Sequence, residues 1–372
     1  MPSLPGFQQA YGLSSGASPK EIANFISFVY VTAGIGSGLS FFINDRIGRL
    51  WSLRLYMAIW IVGQLIATFS SGNVSVLYTA RFVSGLGIGP LTVIGPMALV
   101  EIAPYEFRGL LGTWFSVIML LSLTVSCLIV YASFLHIAVG ALQYQVVWFL
   151  PTIIIALIIV LSFFCMNESP RWLFLVGRDE EAIKSLVELR GLPIDHPRVA
   201  SEIAEIQAQI RIEHAKYGAA ASGGLKAVAR EAFLVPANLR RVQQACLSYV
   251  LAQLSGANSV TSYLIPILSM IGTGGGTAHN MFLTSMYSMA KFFYTLMASF
   301  SFIDAFGRRT SLFTGIIIQM ISDIYIGVFI KFKQEGDVSG GAAQGAIGAI
   351  YIHGFGYAIG ESHSLRWSGY SH

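Results

Sequence analysis

Three polar residues interrupt apolar stretches of this chain in a way that could do chemistry. Lys291 is the one charged residue of the run at about 280–303. A cation in such a run is costly unless an anion or polar group meets it. Two readings fit. Lys291 receives an anionic group of a ligand, or it is satisfied within the protein, with Asp323 in the next apolar run as one acid available to it. Gln253 and Asn258 lie in the run at about 243–270. Amides both donate and accept, which suits polyol hydroxyls. They also serve as hydrogen-bonded glue between membrane helices. On one continuous helix, residues five apart point about 140° from each other. The two amides would then border a wide cavity without sharing a stripe.

A second set of charges sits at the ends of apolar runs. Asp45-Arg46-Ile47-Gly48-Arg49 joins two of them, and Asp304-Ala305-Phe306-Gly307-Arg308-Arg309 repeats the pattern much later. Arg81, Glu101, Arg108, Glu168 and Arg171 mark other run ends. Opposed charges of this kind pair when one side of a carrier closes and hydrate when it opens. The plainer reading is that Arg and Lys anchor helices at the inner membrane face.

The elements that must hold these groups are membrane spans. Residues 22–44 and 55–80 contain no Asp, Glu, Lys or Arg. Each exceeds the roughly 20 residues that cross a bilayer as a helix. The uncharged stretch 109–167 is too long for one helix and divides near 136–143. Spans are expected at about 22–43, 52–72, 75–100, 110–133, 145–166, 243–270, 280–303, 310–330 and 342–360. Gly34, Gly36 and Gly38 would let a neighbouring helix approach closely. Gly345, Gly348, Gly354, Gly356 and Gly360 suit the same role but are expected to lack a neighbour. Residues 168–241 are charged and place Ile183, Leu186, Val187 and Leu189 at helical spacing, which predicts surface helices.

The composition agrees: 54% hydrophobic and 11% charged, with a mean hydropathy of +0.65. So few charges would not cover a soluble surface. The net charge of +4 is small and gives no nucleic-acid footprint. Lys and Arg crowd the turns at 45–54, 101–108, 168–241 and 304–309, and are absent from 73–75, 134–144 and 271–280. The first group is expected to be cytoplasmic. Residues 1–21 then form an extracellular loop, 22–166 a first-half bundle, 167–241 a cytoplasmic helical loop and 242–360 a partial second-half bundle. Residues 361–372 form an aberrant polar tail. Cys127, Cys165 and Cys246 are spaced for neither a metal nor a disulfide framework. No nucleophile–base set, metal cluster or phosphate loop appears, so neither an enzyme nor a cofactor is expected.

Taken in order, six segments resemble the motifs of the sugar-porter branch of the major facilitator superfamily. They are Asp45 to Arg49; Arg81 with Gly85, Gly87 and Gly89; Pro96 with Glu101-Ile102-Ala103-Pro104 and Arg108-Gly109; Glu168-Ser169-Pro170-Arg171; Gln253 to Asn258; and Asp304 to Arg309. The loop at 171–213, with Arg190-Gly191-Leu192-Pro193, is similar to that of fungal members. The resemblance implies an all-α membrane protein, a helix bundle of two pseudo-repeated halves. Phe7 to Gly12 resembles the loop after the family's first helix, and the pattern of the tenth breaks after Gly360. The bundle is therefore expected to be incomplete, with about ten of twelve transmembrane helices, and this chain alone is expected not to transport.

The resemblance further implies a cytoplasmic gate made by Asp45, Arg46, Arg49, Arg81, Glu101, Arg108, Glu168, Arg171, Asp304, Arg308 and Arg309. It assigns Gln253, Asn258, Tyr263 and Ser116 to the substrate site. Ala252, Ser116 and Ser262 depart from the hexose pattern. Together with Lys291 they point to a polyol carboxylic acid such as quinate, which fungal members also carry. The implied function is secondary active or facilitative transport of a sugar or quinate-like polyhydroxy acid, proton-coupled in the intact form. Its partners are the small-molecule substrate, protons and the lipid bilayer, and the intact form belongs to the plasma membrane. The alternatives are a nutrient sensor of the same fold and a non-transporting fragment.

Overall fold

The computed structural model describes residues 3–12, 19–217, 233–254, 256–272, 274–302, 308–336 and 340–361. Among them there is no strand. The first half comprises α1 (Pro5–Ala10), α2 (Pro19–Ile47), α3 (Arg49–Thr68), α4 (Val74–Ile102), α5 (Arg108–His136) and α6 (Ala141–Cys165). Three shorter helices follow: α7 (Pro170–Leu175), α8 (Asp179–Arg190) and α9 (Pro197–Tyr217). The second half contains α10 (Pro236–Leu254), α11 (Ala257–Ser262), α12 (Leu264–Ile271), α13 (Gly276–Met297), α14 (Arg308–Glu335) and α15 (Gly340–Glu361).

Helices α2 to α6 and α14 are long and apolar enough to cross a membrane. The segments α10–α12, α13 and α15 fill the remaining expected spans. With α10–α12 counted as one broken segment, the described residues hold nine spans, and each range expected from the sequence is occupied.

Close approach of α4 to two neighbours organises the first half. Gly85 and Gly89 share one face and meet α2, whereas Gly87 points to α3. A Cβ on Gly87 would lie 2.6 Å from the Trp60 backbone nitrogen, and one on Gly85 3.0 Å from the Val29 carbonyl oxygen. Of the three glycines expected to serve α2, Gly36 alone is used, against Leu86 and Pro90; Gly34 and Gly38 face open space. In the second half, Gly356 and Gly360 of α15 pack on Gly315 of α14. The expectation that the α15 glycines lack a neighbour is thus corrected for Gly345, Gly354, Gly356 and Gly360, which meet α14 or α13, while Gly348 faces open space. The halves meet where α13 packs on α5, with Ser288 Oγ 3.3 Å from Cys127 Sγ.

The expected loop at 1–21 is also not all loop. Leu4, Phe7 and Tyr11 recur at helical spacing and are buried. Phe7 packs against Tyr144 and Trp148 of α6. The Gly6 amide donates to Gln143 Oε1 at 2.9 Å. This apolar stripe outweighs the polar composition around it.

Candidate functional site

Two polar clusters form, one at an end of the first half and one inside the second. The first is built on a turn. Gly48 ends α2 and begins α3 with φ of 102°, a conformation glycine adopts without strain. Having no side chain, it cannot cap α3 itself. Glu168, which follows α6, does so from outside. Its Oε1 accepts from the backbone amides of Arg49 at 2.9 Å and Leu50 at 3.1 Å. The carboxylate thereby fills the orphan donors at a positive helix end.

Arg49 turns its guanidinium the other way. Its Nε and Nη2 donate to the two oxygens of Glu101, both at 3.0 Å, and its Nη1 donates to Asp45 Oδ1 at 2.8 Å. This fork fits a carboxylate better than a lysine would. Trp172 Nε1 donates to the Asp45 carbonyl at 3.0 Å. The cluster ties the ends of α2, α3 and α4 to α7. Further contacts hold the surface helices to the same end: Arg190 reaches the Ile102 carbonyl at 3.0 Å and Arg198 pairs with Glu106 at 2.6 Å. The Glu106 carboxyl is held below its ordinary range, first by its own backbone amide and then by Arg198.

Of the expected gate residues, Asp45, Arg49, Glu101 and Glu168 are brought together. Arg46 is exposed, and Arg171 is half-buried on α7. Asp304 lies outside the described residues, as do the side chains of Arg108, Arg308 and Arg309. Arg81 needs correction. It sits near the opposite end of α4, where its guanidinium lies 4.1 Å from the Phe25 ring centroid and 6.0 Å from that of Trp148. Its Nε is buried without a hydrogen-bond partner among the described residues. The reason is helix length. Glu101 lies about 30 Å further along the helix at 1.5 Å per residue, beyond any side chain's reach.

The second cluster begins at a break. The run read as one helix at 243–270 divides into α10, α11 and α12, with Gly256 at φ of 80° between the first two. The geometry for a continuous helix therefore does not apply to Gln253 and Asn258. Asn258 Nδ2 donates to Gln253 Oε1 at 2.9 Å, and both side chains are exposed. One turn beyond, Thr261 Oγ1 accepts from Lys291 Nζ at 3.1 Å. Lys291 on α13 is 2% exposed, and its ammonium lies 3.5 Å from the Tyr357 ring centroid. The ring face supports the cation electrostatically. Tyr263 is half-buried at the junction of α11 and α12, and Ser116 is buried on α5. Asp323, the acid considered for Lys291, faces His353 instead, with Oδ1 3.6 Å from Nε2.

A family model described as "Sugar (and other) transporter" matches residues 3–364. The chain belongs to that family. The sugar transporter family consists of membrane carriers, not enzymes, and its helical bundle makes the chain a multi-pass membrane protein. The chain is 27% identical over 371 residues to a quinate permease of Emericella nidulans, covering 99% of this chain and 68% of the relative. It is 29% identical over 304 residues to high-affinity glucose transporter 1 of Candida albicans, covering 81% and 52% respectively. Among solved structures, the proton:xylose symporter XylE bound to 6-bromo-6-deoxy-D-glucose superposes with a TM-score of 0.76 at 17% identity. That match covers 97% of this chain and 75% of the other. It establishes the shared major facilitator fold.

Several residues of this sugar transporter that shape the polar clusters went unread in the sequence. Thr261, Tyr357 and Tyr287 act through their position beside Lys291, and spacing across separate helices cannot reveal that. His353 did carry a signal, as a lone imidazole in the glycine-rich 342–360 span.

Proposed function

We propose that this chain forms the binding site of a carrier that moves a small polyhydroxy compound across the membrane and favours a quinate-like hydroxy acid over a neutral hexose. The observation that carries this reading is an amide pair placed one helical turn before the hydroxyl that receives a buried cation. Gln253 and Asn258 join across the Gly256 break, and Thr261, one turn on, receives Lys291. The amides offer donors and acceptors to hydroxyl groups. The ammonium offers a fixed positive charge to a carboxylate in a low-dielectric setting. Tyr263 and Ser116 complete the proposed substrate site.

The relatives support this reading, as they include quinate permeases and a glucose transporter. Proposed coupling to protons has its support in XylE, described as a proton:xylose symporter. The proposed location is the plasma membrane, with α7–α9 on the cytoplasmic side. There, Asp45, Arg49, Glu101 and Glu168 act as a latch on the ends of α2, α3 and α4. Arg46, Arg108, Arg171, Asp304, Arg308 and Arg309 belong to the same proposed gate. Arg81, at the other end of α4, does not.

Thermal-shift and isothermal binding measurements on the purified chain, with quinate and glucose, test the proposal. Quinate should bind more tightly than glucose. Asn258→Ala should weaken both by about tenfold, as expected for one hydrogen bond worth about 1.4 kcal/mol. A chain that binds neither compound, though folded and monodisperse, overturns the reading.

A further inference from the structure

A row of titratable groups, two of them buried and one half-buried, lies beside Lys291 and has no part in the binding scheme above. His353 on α15 is wholly buried. Its Nδ1 lies 3.3 Å from Tyr287 Oη on α13. Its Nε2 faces Asp323 Oδ1 on α14 at 3.6 Å, just too far for a hydrogen bond, and has no hydrogen-bond partner among the described residues. The Asp323 side chain keeps 30% exposure. Its other oxygen borders the helix break: a Cβ on Gly256 would lie 3.5 Å from Oδ2. Gly354, next to His353, leaves room for Lys291, since a Cβ there would lie 3.1 Å from Lys291 Cγ. Thus α13, α14, α15 and the α10–α11 break converge on one point.

We propose that His353 and Asp323 form a proton-binding pair that loads one proton as an anionic substrate seats at Lys291. This proposal rests on the carrier reading above. With Nδ1–H donating to Tyr287 Oη, the neutral imidazole keeps its lone pair on Nε2, directed at Asp323. A proton from water enters at Asp323, the accessible member. It then rests on the carboxylate or makes the imidazole an imidazolium that donates to it, so the two groups titrate as one unit. The pair passes from a net charge of −1 to 0, with one proton gained and none released elsewhere. A substrate carboxylate arriving beside Lys291 repels the charged pair and favours the loaded form. The titratable groups facing His353 are Lys291 and Tyr287 from α13 and Asp323 from α14. Its own helix adds Tyr351 and Tyr357, and the α10–α11 break contributes the uncharged Gly256.

The sign follows by linkage. If binding takes up one proton, the affinity for the anion rises as pH falls, by about tenfold per pH unit across the titration. A neutral ligand should show no such slope. The test uses the full chain in lipid nanodiscs, with quinate and glucose as the probes. Calorimetry in buffers of different ionisation enthalpy counts the protons taken up. Wild type should gain close to one proton per quinate and none per glucose. Asp323→Asn and His353→Gln should each abolish the uptake and flatten the pH profile, and Asp323→Glu should restore both. Thermal stability of each variant, and its retained binding of glucose, establish that it is folded. Quinate binding without proton uptake, or uptake unchanged in both folded variants, overturns the pair and leaves the carrier reading standing. Failure of both ligands to bind removes the carrier reading and the pair with it.

Discussion

Replacing Glu168 by alanine removes the group that caps α3 from outside. The cost can be worked from two contacts. Glu168 accepts from the amides of Arg49 at 2.9 Å and Leu50 at 3.1 Å, and Gly48 offers no side chain to take over. Loss of an N-cap acceptor costs about 1 kcal/mol. Loss of a partly buried anion at a helix N-terminus costs up to about 2 kcal/mol more. The expected loss for Glu168→Ala is therefore about 1–3 kcal/mol. Glu168→Gln keeps an acceptor without the charge and should lose about half of that. Gly48→Ala offers an independent check. It forces a positive φ on a residue with a Cβ, which costs about 1–3 kcal/mol. That Cβ would also lie 2.8 Å from Glu168 Oε2. Unfolding in mixed micelles, followed by tryptophan fluorescence, reads all three variants, since Trp172 packs against this turn. A Glu168→Ala protein within 0.5 kcal/mol of wild type, roughly the scatter of an ordinary surface change, would refute the capping role.

Other outcomes follow from the same geometry. Lys291→Met should weaken quinate binding at least about tenfold more than glucose binding; equal losses would make Lys291 a structural cation seated on Tyr357. Ser201→Cys, on exposed α9, should resist an impermeant thiol reagent in intact cells and react in permeabilised ones; strong labelling from outside would invert the proposed orientation. The Arg198–Glu106 contact should respond to acid in one direction only. Because the Glu106 carboxyl is held low when folded, its contribution is complete above the ordinary carboxylate range, near pH 4. It fades as pH falls below that range, which proteolysis rates in α9 will follow. Loosening of α9 between pH 7 and 5 would contradict this assignment.

The spans were legible because a bilayer imposes a simple rule on sequence. Backbone groups must be satisfied within each helix, so uncharged runs of sufficient length become helices. The uncharged stretch at 109–167 divided where expected, between His136 and Ala141. The rule is silent on small buried elements. Residues 4–11 read as polar loop because composition averages over Leu4, Phe7 and Tyr11, whereas burial depends on their sharing one face. Nor does the rule say which glycine meets a neighbour. Gly34, Gly36 and Gly38 look equivalent, yet Gly36 alone faces α4. That distinction comes from the direction in which two helices cross.

The functional groups were legible by type but not by arrangement, and Gly256 shows why. Periodicity assigns an angle to every residue only while the helix continues. A glycine in a left-handed conformation resets that angle, so Gln253 and Asn258, which a straight helix separates, come within one hydrogen bond. The break also frees backbone groups that a membrane helix would otherwise satisfy internally. Such irregularity is tolerated where protein or a water-filled cavity covers it. Arg81 shows the converse. Its motif linked it to charges that sequence could see, but α4 runs uninterrupted from Val74 to Ile102. An unbroken helix fixes distance as firmly as it fixes angle, so Arg81 cannot join Glu101 whatever its charge. The protein therefore combines a rigid α4, which keeps its two end charges apart, with a broken α10–α12, which gathers polar groups near Lys291. If the break is what gathers the proposed binding groups of the second half, closing it should disable binding. Gly256→Leu, which strains the left-handed turn, should abolish ligand binding while leaving the Arg49–Glu101 cluster and the packing of α4 intact.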